Sequence, residues 1–136
     1  ALDAHHHPSA EGSLRDVCAR VSALWRNHED ALTARLLDAV AAHGDLRLLG
    51  PATLGGIDGH RCPTIAFSPT TIEPAELAHR LVERGVQTSS GHYYAWRVLD
   101  GVGIDPERGV VRLSFVHYTA ADDIDRAVDA LDAVLA

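Results

Sequence analysis

The sequence specifies a two-layer α+β domain, in which a small and mostly antiparallel sheet carries helices on one face. Segments with helical apolar spacing alternate with short β-rich runs in the order helix, two strands, helix, strand, short helix, strand, helix. Helices this few on a small, largely non-parallel sheet indicate two layers rather than three. A chain of 136 residues, 46% apolar and 23% charged, also has the length and composition of one globular domain with a single core.

Residues 1–12 hold His, Pro, Ser and Gly without a period and read as a tail or connector, in which the run His5, His6, His7 is an incidental, disordered segment. The domain proper is expected over 13–136. From Ser13, the positions Leu14, Val17, Val21, Leu24, Trp25, Leu32, Leu36, Leu37 and Val40 follow helical spacing up to a stop at Gly44. One helix of about 30 residues, or two in line, would span roughly 45 Å, longer than this domain needs to cover its own core. A helix of that length reaches toward something else.

Leu46–Leu49 reads as a strand ending at Gly50 and Pro51, and Ala52–Arg61 as a Gly-rich loop before a second strand, Pro63–Ser68. Thr70, Thr71 and Glu73 offer caps, Pro74 suits a first helical position, and Leu77, Leu81 and Val82 form the buried stripe of a helix ending at Gly85. Val86–Ser89 is expected as a strand, Tyr93–Leu99 as a short helix, 101–109 as a loop turning at Asp105 and Pro106, and Val110–Val116 as a strand. Thr119 with Asp122 makes a capping pair for a last helix buried through Ile124, Val128, Leu131 and Leu135.

Composition excludes several functions. A net charge of -7 repels phosphate backbones, so nucleic acid is not an expected partner. No apolar run approaches the roughly 20 residues that span a bilayer, and the start lacks the basic and apolar regions of a secretory signal; the cytoplasm is the default expectation. Cys18 and Cys62 stand far apart and outside any Cys or His pair with zinc-site spacing, so no metal is expected. All twelve basic residues are arginine, so no lysine Schiff base can form on this chain.

A longer pattern runs along the chain. Leu81 to Gly91, then His92, Tyr93, Tyr94, Ala95, then Gly109 to Phe115 with His117 and Tyr118, then Asp122 to Asp125, resemble the C-terminal domain of class V aminotransferases and cysteine desulfurase-like proteins. His28, Glu29, Leu32, Leu36 and Leu37, followed by Arg61, Pro63, Thr64, Ala66 and Phe67, extend the resemblance upstream, so that it covers about Leu14 to the C-terminus.

The resemblance implies the small domain of a fold-type I enzyme. In that family a large domain holds pyridoxal 5'-phosphate on a lysine, and the small domain closes over an amino-acid substrate. The chain would then be catalytically incomplete alone, carry no covalent cofactor, and have as partners the missing large domain and, in a homo-oligomer, further copies. By motif, Arg112 corresponds to the arginine that binds the substrate α-carboxylate, a task for which two parallel, permanently charged donors are suited. The run Ser90, Gly91, His92, Tyr93, Tyr94, Ala95 corresponds to the loop that in desulfurases delivers a nucleophilic cysteine to the substrate sulfur. Tyr94 holds that position here, and a phenol with an ordinary pKa near 10 cannot take up sulfane sulfur as a thiolate can, so persulfide chemistry is not expected. Ser89 stands where desulfurases often have arginine, and Thr119 where the family prefers asparagine.

Read without the resemblance, Arg112 is a surface or interdomain ion-pair residue, His92 and His117 are structural histidines near strand ends, and Tyr93, Tyr94 and Trp96 are an aromatic cluster packed in the core or against the missing domain. Gly91 answers a backbone need at a sharp turn. A free-standing α+β ligand-binding module and a dimerisation domain remain the alternative functions.

Overall fold

The computed structural model describes residues 1–55 and 61–136. Residues 56–60 of the Gly-rich loop expected at Ala52–Arg61 lie outside the described residues. The element order is α1 (Leu2–His6), α2 (Leu14–Ala42), β1 (Leu46–Leu49), β2 (Thr64–Pro69), α3 (Pro74–Glu83), β3 (Ser89–Gly91), α4 (Trp96–Gly101), β4 (Val110–Ser114) and α5 (Ala121–Leu135). Among the described residues the four strands form one sheet in the order β1-β2-β4-β3, with every pairing antiparallel.

Strand alternation assigns the two faces. Leu48, Phe67 and Val111 stand in one cross-strand row, and Ile65 pairs with Leu113 beside it. These residues meet Leu36, Leu37 and Val40 of α2, Leu77 and Leu81 of α3, and Ile124 and Leu131 of α5 in the main core. Each such side chain, fully buried, contributes about 1.5–3 kcal/mol. The neighbouring row, Leu49, Ala66, Arg112 and Ser89, points to the opposite face. Leu49, Ala66 and Tyr93 there pack against a second, small cluster of Leu99, Ile104 and Val110, so α4 and the loop after it cover part of the face that the three large helices leave open.

The long helix is continuous over 29 residues and is buried only at Leu32, Thr33, Leu36, Leu37 and Val40. Its N-terminus is a reciprocal cap: the Ser13 hydroxyl accepts from the Asp16 N–H, and the Asp16 carboxylate accepts from the Ser13 N–H at 2.7 Å. The Thr33 hydroxyl donates to the Glu29 carbonyl at 2.7 Å, which satisfies it inside the core.

Several sequence expectations need correction. The run His5, His6, His7, expected as a disordered segment, lies partly in α1, which is docked on α2 because both Asp3 carboxylate oxygens accept 2.7 Å hydrogen bonds from Arg20. The strand expected at Val86–Ser89 begins only at Ser89. Gly85 turns the chain at φ +80, the Val86 N–H bonds back to the Leu81 carbonyl at 3.0 Å, and Val86 is buried as a helix-end contact. Thr70 and Thr71 do not cap α3; their hydroxyls donate to the backbone carbonyl and carboxylate of Asp45. Val82 is exposed. The cap of α5 is Asp123, accepting from the Ala120 N–H at 3.0 Å, while the Thr119 hydroxyl accepts from the Val116 N–H.

Candidate functional site

Arg112 lies at the middle of β4, opposite Ala66 on one side and Ser89 on the other, and its side chain is exposed on the open face. Val111 and Leu113 on either side are buried against the helices, which leaves Arg112 facing outward. Its guanidinium carbon lies 4.0 Å from the centroid of the Tyr93 ring. The Tyr93 phenol donates to the Ser89 carbonyl and accepts from the Ser89 hydroxyl at 3.1 Å. Among the described residues Arg112 pairs with no carboxylate, whereas Arg20, Arg35, Arg80, Arg108 and Arg126 each do. Its donor edge is therefore available to a ligand.

The turn after β3 presents the other expected residues. Gly91 has φ +143 and an open Cβ direction, so backbone conformation rather than space requires glycine there. Tyr93 and Tyr94 follow with φ 47 and 61, two successive non-glycine residues in the left-handed region, which displaces the start of α4 to Trp96. The His92 Nδ1 accepts from the Tyr94 N–H at 3.1 Å, which leaves the proton of a neutral ring on Nε2. The ring of His92 meets Trp96 edge-on at 5.5 Å. Tyr94 is 100% exposed at the tip of the turn. Ser90 pairs with Val111 in the ladder and falls on the helix-covered row, not on the row of Arg112.

The structure thus joins Arg112 to Tyr93 and Ser89, and gathers Gly91, His92 and Tyr94 in the adjoining turn. By sequence, Tyr93 belongs either to the loop of the resemblance or to an aromatic cluster, and Ser89 is a departure from the family pattern. The signal that could have found them is the two-residue period of the sheet, which sets Ser89 beside Arg112 once β3 is registered at Ser89–Gly91. His117 belongs elsewhere: it stacks on Trp25 of α2 with centroids 4.2 Å apart. Neither Cys18, on α2, nor Cys62, ahead of β2, lies in the turn that carries Tyr94.

Apolar side chains expected at a covered surface are exposed in two places. Leu14 and Trp25 lie along the first half of α2, and Tyr94, Trp96 and Val98 lie on the site's turn and α4. No group of three or more metal-ligating side chains occurs among the described residues, and no helix there is long and apolar enough to cross a membrane.

The family model described as aminotransferase class-V matches residues 19–127. A probable cysteine desulfurase of Pseudomonas putida is 32% identical over 108 residues, covering 77% of this chain and 23% of that protein. A probable cysteine desulfurase of Streptomyces coelicolor is 33% identical over 107 residues, covering 79% and 24% respectively. Among solved structures, a cysteine desulfurase from Escherichia coli matches with TM-score 0.66 at 24% identity over 81% of this chain and 25% of that one. The apo cysteine desulfurase of Thermococcus onnurineus matches with TM-score 0.74 at 21% identity over 89% and 28%. These structural likenesses show a shared fold. The chain spans about a quarter of the length of the curated relatives it matches.

Proposed function

The chain belongs to the class V aminotransferase family, and from that premise we propose that it is the substrate-closing small domain of a pyridoxal-phosphate enzyme acting on an amino acid. Arg112 holds the substrate α-carboxylate in this reading. The observation that carries it is an arginine exposed on the open face of the sheet, seated on an aromatic ring and pairing with no carboxylate among the described residues. A guanidinium in that state offers two parallel donors to a planar carboxylate.

The family's cofactor is carried on a lysine, and all twelve basic residues of this chain are arginine. The residues present do not fit its covalent anchorage. A large domain of the full-length protein would supply it, in keeping with the quarter-length match to the relatives. This chain contributes substrate binding, orientation and the exclusion of water. Exposed Tyr94, Trp96 and Val98 beside the site form the apolar rim that meets the large domain, or a further copy in a homo-oligomer, on closure. Within the same proposal His92 and Gly91 shape the turn at the substrate, Ser90 supports it from the helix-covered row, and the cytoplasmic setting expected from the sequence is retained.

Tyr94 occupies the turn from which the resemblance would have a cysteine act, and a phenol has no sulfur with which to form a persulfide. The reaction proposed for the full-length protein therefore lies outside sulfur transfer through this turn, although relatives bear the name cysteine desulfurase.

The test is Arg112→Lys in the full-length protein. One ammonium keeps the charge and loses the two-point geometry, which should lower kcat/KM by about 10- to 150-fold, the equivalent of about 1.5–3 kcal/mol for a hydrogen bond to a charged group. Cofactor absorbance and melting temperature should stay at wild-type values. Activity within twofold of wild type, or a loss that only follows a fall in melting temperature, would make Arg112 a structural residue.

A further inference from the structure

We propose that Tyr93 is the positioning residue for Arg112: its ring is a platform that fixes the plane of the guanidinium, and Ser89 latches that platform from below. The proposal rests on the reading of Arg112 as the carboxylate-binding residue.

Three contacts close a circuit. Ser89 and Arg112 are directly opposite in the β3–β4 ladder. The Tyr93 phenol is tied to both the carbonyl and the hydroxyl of Ser89. The Tyr93 ring in turn lies 4.0 Å beneath the Arg112 guanidinium carbon. Each end of the tyrosine is thus referred back to the same ladder position. Stacking uses the face of the guanidinium and leaves its in-plane N–H fork for a carboxylate.

The backbone is shaped to make this contact. Tyr93 has φ 47, a conformation uncommon for a bulky side chain, and the Tyr94 residue beside it has φ 61. Such conformations persist where the surroundings over-determine them. Around Tyr93 those surroundings are the latch to Ser89, the stack on Arg112, and packing against the small cluster of Leu99, Ile104 and Val110. Tyr94 makes no comparable commitment, since its side chain is fully exposed.

An arginine on a long, rotatable stem loses freedom when it binds a ligand, and a platform that removes this freedom beforehand acts on binding rather than on the chemical step. Tyr93→Leu in the full-length enzyme should therefore raise KM for the amino acid about 2- to 5-fold, the range of an exposed cation–π contact, and leave kcat within about twofold. In an Arg112→Ala background the same change should leave KM where Arg112→Ala alone puts it, because Tyr93 acts through Arg112.

A second readout does not need turnover. In the cofactor-free protein, the Arg112 Nε–H resonance should be shifted upfield by the Tyr93 ring and return to the common arginine position in Tyr93→Leu. Tyr93→Phe, which keeps the ring and cuts the latch, should lose part of that shift and raise KM by a smaller factor; if the leucine variant fails to fold, this variant decides. Wild-type KM and an Nε–H resonance that stays at its wild-type position in these variants, or a rise in KM as large without Arg112 as with it, would overturn the proposal. An unchanged KM in Arg112→Ala alone would overturn the carboxylate reading instead, and the ring-shifted resonance distinguishes the two failures.

Discussion

Gly109 and Gly103 form a matched pair that isolates a steric effect beside the site. Their backbone conformations are almost the same, φ +70 and +73. A Cβ at Gly103 would meet nothing within 4 Å, whereas one at Gly109 would lie 2.6 Å from both C and Cα of Gly91 and 2.8 Å from its O. An alanine at either position bears the cost of a left-handed conformation, roughly 1–2 kcal/mol. Only Gly109→Ala also forces backbone apart, because the colliding atoms belong to the main chain at the end of β3 and no side chain can swing aside. Overpacking of that kind adds about 1–3 kcal/mol, so Gly103→Ala should cost about 1–2 and Gly109→Ala about 2–5 kcal/mol. Urea denaturation with a common m-value measures both. Asparagine, which tolerates the left-handed region, should recover stability at 103 and not at 109. Equal costs for the two alanine variants within about 0.5 kcal/mol, the usual scatter for surface substitutions, would show that β3 yields freely and that the close approach has no structural consequence.

Other outcomes follow from the same contacts. The Asp3 carboxyl is held below its ordinary value of about 3.9 by the hydrogen bonds from Arg20, so the docking of α1 on α2 should be complete above that value and lost as pH falls through the lower folded one. Amide exchange of α1 followed from neutral pH downward checks this, and release between pH 6 and 7 would contradict it. Phe67→Ala, at the centre of the main core, should cost about 3–5 kcal/mol of unfolding free energy in a urea melt, and a loss under about 1 kcal/mol would mean that the sheet and helices are not packed as described. Incubation of this chain with pyridoxal phosphate and borohydride should label no internal side chain, with the α-amino group of Ala1 left out of account; a stoichiometric internal adduct found by mass spectrometry would contradict the lysine-free reading.

Element type was legible wherever burial and local spacing agreed. The stripe Leu32, Leu36, Leu37, Val40 announced α2, and the run Val110–Ser114 announced β4, because both bury one face against a single core. The errors fall where long-range contacts decide. Val86 is apolar because a helix end buries it, not because a strand pairs there, and nothing within a few residues separates those causes. The helix α1 depends on a partner 17 residues away, and Thr70 and Thr71 serve an aspartate on a neighbouring connection. For the candidate site, motif resemblance points to Arg112, while the contacts of Tyr93 and Ser89 beside it required the register of β3 against β4 and two left-handed residues that the sequence does not advertise.

The location of the site and the stability of the fold are set by one alternation. Val111 and Leu113 are buried in the main core, and Arg112 between them is therefore forced onto the open face. A slip of β4 by one residue would bring the guanidinium under the helices and turn both apolar side chains to solvent. An unpaired cation in that core costs several kcal/mol, and the exposure of Val111 and Leu113 forfeits about 1.5–3 kcal/mol each. These penalties rival the whole stability of a small domain, so the competing register is suppressed by the core alone. The outward position of Arg112 thus needs no interaction of its own. What the core does not set is the angle of the guanidinium on that face, because the alternation fixes Cα and Cβ and leaves the long stem free. That remaining freedom is what the ring of Tyr93, latched to Ser89, removes.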